Sequence, residues 1–284
     1  MLPRSFLYVP ASRPSLFAKA STGAADAVIL DLEDAVPVAE KSAARGAVAA
    51  WLGRDRRAPG AGGGAQTWVR VDADRLADDL EAVVRPGLDG IVLAKCSPMS
   101  MSELAARLDG AEAEQDLPPV PVVGLVEDAA SVLALGELAA HPRLTTLGLG
   151  EVDLLAALRI ARTTATADAI TQLRLQVVLH CAAAGLAAPV APTSVDFRDL
   201  DAFRQTTREL ADLGFRSRTA IHPAQVPVIH EVLAPTAEAV AAARDVLDRF
   251  SAAQGGVTLD AAGRLIDAAV IRSARETLAR RRDD

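Results

Sequence analysis

PVVGLVED (residues 121–128) and LTTLGLGEVDLL (residues 144–155) decide how the rest of this chain is read. Each is a short apolar run that stops abruptly in carboxylates, Glu127 and Asp128 in the first, Glu151 and Asp153 in the second. A helical pattern lies between them. Short buried runs alternating with helices are the signature of consecutive strands in an α/β barrel, whose carboxyl ends face one common mouth. If Glu127 and Asp153 converge there, two like charges about 4 Å apart repel by roughly 4 kcal/mol at an effective dielectric of about 20. A raised pKa on one carboxyl would relieve this, as would a divalent cation; two carboxylates with open positions suit Mg²⁺. The alternative is that these are ordinary acids at helix N-termini. The residues alone leave both readings open.

Working outward, SFLYV (5–9) is a strand stopped by Pro10, after which Ser12 can cap a helix starting near Pro14, with Arg13 in the loop. DAVILDL (26–32) is the most strand-like segment, and alternation sends Ile29, Asp31 and Glu33 one way and Leu30, Leu32 and Asp34 the other. Helix 40–52 and the Gly-rich RRAPGAGGGAQ (56–66) follow; that loop lacks a GxxxxGK[ST] pattern and reads as a flexible connection. TWVRV (67–71) ends beside Arg70 and Asp72, and GIVL (90–93) ends in Lys95. Helices are expected at 75–84, 101–108, 129–140, 167–184 and 200–213, the last closed by Gly214. Residues 188–191 and 218–221 complete eight strands, giving an α/β (β/α)₈ barrel over residues 1–234. An open doubly wound sheet competes, but no GxGxxG follows any strand. Residues 235–284 form a C-terminal helical extension, expected as helices 236–250 and 262–282, the second containing Asp267 in the apolar LIDAAVI. Its pattern alone makes Asp267 a solvent-facing helix residue.

Composition narrows the partners. The 284 residues are half hydrophobic, enough for a sizeable core, and 30 basic against 37 acidic side chains give a net charge of −7. That balance, with only nine aromatic side chains to stack on bases, argues against nucleic acid. No apolar run reads as a membrane span or signal core, so no membrane association and a cytoplasmic location are expected. Cys96 and Cys181 have no metal-ligand spacing and read as free thiols.

In a barrel, Arg13, Asp31, Glu33, Asp34, Arg70, Lys95, Glu127, Asp153 and His222 all lie at strand ends on the mouth, a mixed-charge cluster suited to a polar ligand with a metal. There is no histidine before His141 and no GxSxG elbow. Lys95 offers a Schiff-base nucleophile, but beside so many carboxylates it should stay protonated. His222, before Pro223, reads as a shaper of the last loop.

DAVILDLEDAV (26–36), VRVDA (69–73), GIVLAK (90–95), GLVE (124–127), the G-x-x-D at 150–153 and AIHPAQ (220–225) together resemble the citrate lyase beta-subunit-like branch of the HpcH/HpaI aldolase superfamily. The resemblance implies a metal-containing (β/α)₈ barrel acting on the carbon–carbon bond of a 3-hydroxyacyl thioester, as a homotrimer or hexamer. It places the metal on Glu127 and Asp153 and the substrate on Arg70. GRLIDAAV (263–270) looks like the family's C-terminal motif, whose Asp, here Asp267, serves a neighbouring subunit's site. The chain departs from the family with LAK for LPK, GEVD for GAED, Asp128 where Thr or Ser is usual, and no A-I-D near Pro189 and Val190. These changes bear on substrate choice more than on reaction type. The expectation is a Mg²⁺-dependent lyase cleaving a malyl- or citramalyl-type coenzyme A thioester to acetyl-CoA and a 2-oxo acid. Its catalytic residues are Arg70, Asp267 and Glu33, with Arg13 and Lys95 assisting substrate binding. A citrate lyase beta subunit acting on an acyl-carrier-protein thioester, and an aldolase for free 2-oxo acids, are the alternatives.

Overall fold

A computed structural model describes residues 2–54, 64–253 and 258–281. Eight parallel strands close into a barrel in chain order: β1 Ser5–Pro10, β2 Ala27–Asp31, β3 Gln66–Val71, β4 Gly90–Leu93, β5 Val122–Val126, β6 Thr146–Leu149, β7 Val190–Ala191 and β8 Ser217–Ala220. The helices of this part are α1 Phe17–Ser21, α2 Lys41–Leu52, α3 Leu76–Val83, α4 Pro98–Gln115, α5 Ala129–Leu133, α6 Leu135–Ala139, α7 Glu151–Leu158, α8 Ala167–Ala183, α9 Leu200–Leu213 and α10 Gln225–Leu233. The (β/α)₈ expectation therefore holds.

Strand alternation divides the core in two. Phe6, Ala27, Ile29, Trp68, Val92, Val123, Leu125 and Val190 fill the barrel, while Val28, Leu30, Leu32, Val69 and Ile91 face the helices. Trp68 meets Phe6 edge to face at 5.3 Å, and its ring fills the space beside Gly90, where a Cβ would lie 2.4 Å from it. Continuing the inward alternation on β2 past Ile29 brings Asp31 to the top of the barrel, and the β2–β3 register sets Asp31 opposite Arg70.

Several local expectations change. Ser12 does not cap: the first helical turn, Pro14–Leu16, has Arg13 as N-cap and no side-chain cap bond. Helix 129–140 divides into α5 and α6 around Ala134. The Gly-rich loop lies outside the described residues over 56–63, as do residues 254–257 of the tail linker and Arg282.

The chain divides into two compact units, residues 1–230 and 231–284. In the second, α11 Ala237–Ala252 and α12 Ala268–Ala279 pack together, preceded on the α12 side by the hairpin β9 Thr258–Leu259 and β10 Leu265–Ile266. The helix expected over 262–282 thus starts later, because Gly263 adopts φ +77° and turns the hairpin. Asp267 is the N-cap of α12, accepting from the N–H groups of Ala269 and Val270, each at 2.9 Å. Residues 225–252 have the hydropathy of a membrane span over that length. Thr236, the N-cap of α11, and Pro235 before it divide them into helices of 9 and 16 residues, each below the roughly 20 a span needs.

Candidate active site

A cavity of about 450 Å³ opens at the carboxyl ends of the strands. Asp31, Asp34, Arg70, Glu127 and Asp153 line it, with Tyr8, Leu125, Leu149, Val190 and Ala191 as its less polar wall.

Arg70 is fixed on three sides. Asp31 takes its Nε and Nη2 in a two-pronged pair, both at 2.7 Å, Glu33 Oε2 lies 3.1 Å from Nη1, and its Cζ stands 5.0 Å from the centre of the Tyr8 ring. Burial works against the guanidinium charge, but the bond to Asp31 and the surrounding acids raise its pKa above the ordinary value. Burial likewise pushes the Tyr8 phenol up, so it stays protonated. The same carboxylate of Asp31 folds the loop behind it, accepting from Glu33 N at 2.9 Å and Ala35 N at 3.3 Å. Lys41 ties that loop to the scaffold through Leu32 O, Glu33 O and Asp72 Oδ2 at 2.8–3.1 Å. DLEDAV is therefore one device, a turn wound around the acids that hold Arg70.

Glu33 is 1% exposed and bridges Arg70 to Lys95, whose Nζ lies 2.6 Å from Oε1. The bond to Glu33 raises the Lys95 pKa against the effect of burial, so the amine is a cation, as expected, and not a free nucleophile. Lys95 has the left-handed φ of 47°, which turns its N–H onto Glu127 Oε2 at 3.0 Å.

Glu127 is 5% exposed, and burial raises its pKa to about 7 in spite of the Lys95 N–H and the Arg70 charge, with Glu33 and Asp153 pushing the same way. Its side chain lies in the space left by Gly150, where a Cβ would stand 2.3 Å from Glu127 Cγ. Asp153, exposed in the first turn of α7, faces the same cavity. Neither acid is in an ion pair with a cationic side chain among the described residues. Among the described residues, the five carboxylates Asp31, Glu33, Asp34, Glu127 and Asp153 thus have only Arg70 and Lys95 as ion-pair partners. That imbalance and the unused acceptors of Glu127 and Asp153 fit a divalent cation, and the donor set is the hard oxygen type that suits Mg²⁺.

The other expected site residues fall differently. Arg13 is exposed in the loop after β1 and is not part of the cavity wall. Lys95 stands behind Glu33 instead of on that wall. His222 stacks on Phe197 at 4.8 Å and lines an adjoining cavity of about 480 Å³. Asp267 belongs to the other unit. Tyr8 was not foreseen, although it follows Phe6 by two on β1 and so continues that strand's inward face. Glu151 was foreseen only as a neighbour of Asp153. It is 2% exposed, with Arg174 bonded at 2.6 and 2.8 Å and Arg162 bonded as well, and these arginines hold its carboxyl below the usual range despite burial.

Residues 4–223 match the sequence model of the HpcH/HpaI aldolase/citrate lyase family. The citrate lyase subunit beta-like protein of Mycobacterium tuberculosis (strain ATCC 25618 / H37Rv) is 33% identical over 283 residues, covering 97% of this chain and 94% of the relative. The (3S)-malyl-CoA thioesterase of Cereibacter sphaeroides (strain ATCC 17025 / ATH 2.4.3) is 33% identical over 292 residues, covering 98% and 94%. Among solved structures, protein CitE from Mycobacterium tuberculosis in complex with magnesium, acetoacetate and coenzyme A superposes with a TM-score of 0.74 at 32% identity, covering 98% of this chain and 97% of that one.

Proposed function

The chain belongs to the HpcH/HpaI aldolase/citrate lyase family, and on that footing we propose that it is a Mg²⁺-dependent lyase for a 3-hydroxyacyl-CoA thioester of the malyl or citramalyl type. The observation that carries this reading is one cavity holding two carboxylates, Glu127 and Asp153, that pair with no cationic side chain among the described residues, beside an arginine clamped by Asp31 and Glu33. The magnesium, acetoacetate and coenzyme A of the CitE complex support both the metal and the thioester.

In the reaction, the bond breaks between the hydroxyl-bearing carbon and the carbon next to the thioester carbonyl. The hydroxyl loses its proton and becomes the carbonyl of glyoxylate or pyruvate, and the released acetyl-CoA enolate takes up a proton. Mg²⁺ held by Glu127 and Asp153 would supply Lewis acidity at the hydroxyl oxygen, lowering its pKa. Arg70 does the remaining electrostatic work. Its bonds to Asp31 and Glu33 use three of the five guanidinium N–H donors, leaving one on each terminal nitrogen for substrate oxygens. Because the clamp fixes those donors before substrate arrives, they can stabilise developing negative charge without reorganising. Glu33 acts through Arg70 and Lys95, whose cation also offsets the acids of the mouth.

We place Asp267 as the proton donor to the enolate. It is carried by the 235–284 extension to the barrel of a neighbouring subunit in a homo-oligomer, a trimer or hexamer, of cytoplasmic location. A second reading is favoured by the thioesterase relative: the same cavity hydrolysing the thioester with water, so that free coenzyme A and the hydroxy acid are formed. Mass spectrometry of malyl-CoA and citramalyl-CoA incubated with the chain and Mg²⁺ separates the two. Acetyl-CoA with a 2-oxo acid is expected; coenzyme A with intact hydroxy acid would select hydrolysis, and no consumption of either thioester would overturn both readings.

A further inference from the structure

Behind the α7 turn lies a second cavity, of about 470 Å³, bounded by α7, the segment after β7, α8, α9 and β8. Its charged lining is Arg162, Arg174 and Arg218 against Glu151 and Asp196. Glu151 is shared by Arg162 and Arg174. Asp196 is exposed, and its Oδ1 is turned to the N–H groups of Arg198 and Asp199, at 3.0 and 3.3 Å.

Arg218 has no such partner. Thr219 lines the catalytic cavity inside the barrel, so its neighbour Arg218 leaves β8 on the outer side. It is 3% exposed and lies over the Phe203 ring with Cζ at 3.9 Å. Nη1 donates to Phe203 O at 2.9 Å, Thr206 Oγ1 at 3.1 Å and Thr207 Oγ1, and Nε donates to Pro192 O at 3.2 Å. Every acceptor is neutral. Among the described residues no carboxylate is within ion-pair distance and Nη2 finds no acceptor. Burial, helped by the nearby Arg174 charge and opposed by the Glu151 and Glu209 charges, holds its pKa down to about 9, so it is still a cation at neutral pH. A buried cation bonded only to neutral groups is costly and is relieved by an anion that reaches it. The residues lining the cavity keep donors for such an anion: Nη2 of Arg218, Nη1 of Arg174, and the Thr193 hydroxyl, which is buried without a partner among the described residues in the wall shared by both cavities.

We propose that this cavity is a binding site for a small oxyanion, a carboxylate or phosphoryl group, received by Arg218 together with Arg174 and Arg162. The site is separate from the metal and thioester chemistry. It adjoins that chemistry along Glu151, Val152 and Thr193, which line both cavities, and Glu151, bonded to the two outer arginines, begins the helix that carries Asp153.

Calorimetric titration of the full chain with inorganic phosphate, and separately with acetate, in chelator and without thioester tests this. Saturable binding of at least one anion is expected, with phosphate alone assigning a phosphoryl ligand and acetate alone a carboxylate. Arg218→Met and Arg162→Gln should each weaken it about tenfold or more, since each removes a charge-assisted donor. Arg70→Gln, which removes the cation of the catalytic cavity, should leave it unchanged. Should Arg218→Met lose its folded circular dichroism, Arg162→Gln decides alone, its side chain being half exposed. Absence of saturable binding, its survival in Arg162→Gln, or its loss in Arg70→Gln overturns the proposal.

Discussion

Glu127→Gln should stabilise the metal-free protein while destroying its response to magnesium. Burial raises the Glu127 pKa from 4.5 to about 7. The folded chain therefore holds a proton that the unfolded chain has released between those values, and stability falls as pH rises through that window. Below about pH 4.5 the carboxyl is neutral in both states and costs nothing; above about pH 7 the full cost of a buried charge applies. At 1.36 kcal/mol per pH unit the cost is about 1 kcal/mol at pH 5 and about 3 kcal/mol at pH 8. Glutamine keeps an oxygen for the Lys95 N–H and carries no charge. In EDTA, urea denaturation should find the variant more stable than the wild type by up to about 3 kcal/mol at pH 8, with most of the gain gone at pH 5. Magnesium at 100 times its dissociation constant should then stabilise the wild type by about 2.7 kcal/mol and the variant hardly at all. Equal stability of the two proteins at pH 8 in EDTA would refute the argument from burial, and equal stabilisation by magnesium would refute Glu127 as its ligand.

Arg70→Lys keeps a charge but cannot span Asp31 and Glu33 while offering two further donors, so kcat/KM should fall by about 10² or more; a wild-type rate would reduce Arg70 to an ion-pair partner. Gly150→Ala puts a Cβ 2.3 Å from Glu127 Cγ, and calorimetry should show weakened Mg²⁺ binding with an unchanged circular dichroism spectrum; an unaltered affinity would mean that Glu127 does not bind metal from its present position. Asp267→Asn preserves the α12 cap, because asparagine caps as well as aspartate, and removes only the acid. Turnover should drop by at least about 10² with Mg²⁺ binding intact. Subunit exchange with inactive Arg70→Ala chains should restore about a quarter of wild-type activity if the neighbour supplies the acid; no recovery in confirmed mixed oligomers would count against that arrangement.

What could be read in advance follows the range of the forces involved. Alternation along β2 is local, so the set carrying Asp31 could be separated from the set carrying Asp34, and short strand patterns between helices indicated eight strands. That Asp31 grips Arg70 depends on the β2–β3 register, which no single segment carries. Arg174 lies 23 residues from Glu151 and could not be paired with it from spacing. Asp267 was misplaced for the opposite reason: LIDAAVI looks continuous, but a hairpin ends at Ile266, and an aspartate before an apolar run is a helix-start signal in its own right.

The same distinction bears on the two acid clusters, which read equally as a metal site and as helix N-termini. In each cluster the scaffold takes up one of the two acids. Asp128 caps α5, accepting from Ser131 N at 2.7 Å while the Ser131 hydroxyl closes the box, and the D-x-x-S spacing shows this in the sequence. Glu151 is taken up by Arg174 and Arg162. With those two carboxylates engaged by the scaffold, Glu127 and Asp153 remain on the cavity, pairing with no cationic side chain among the described residues. The engaged acids also fix the position of the other two, since Asp128 starts the helix next to Glu127 and Glu151 anchors the turn that presents Asp153. A protein that spends one carboxylate of each pair on rigidity leaves the other on the cavity, and at Glu127 burial raises the energy of the charged form, hence its raised pKa. A divalent cation is the ligand that most directly lowers that energy again.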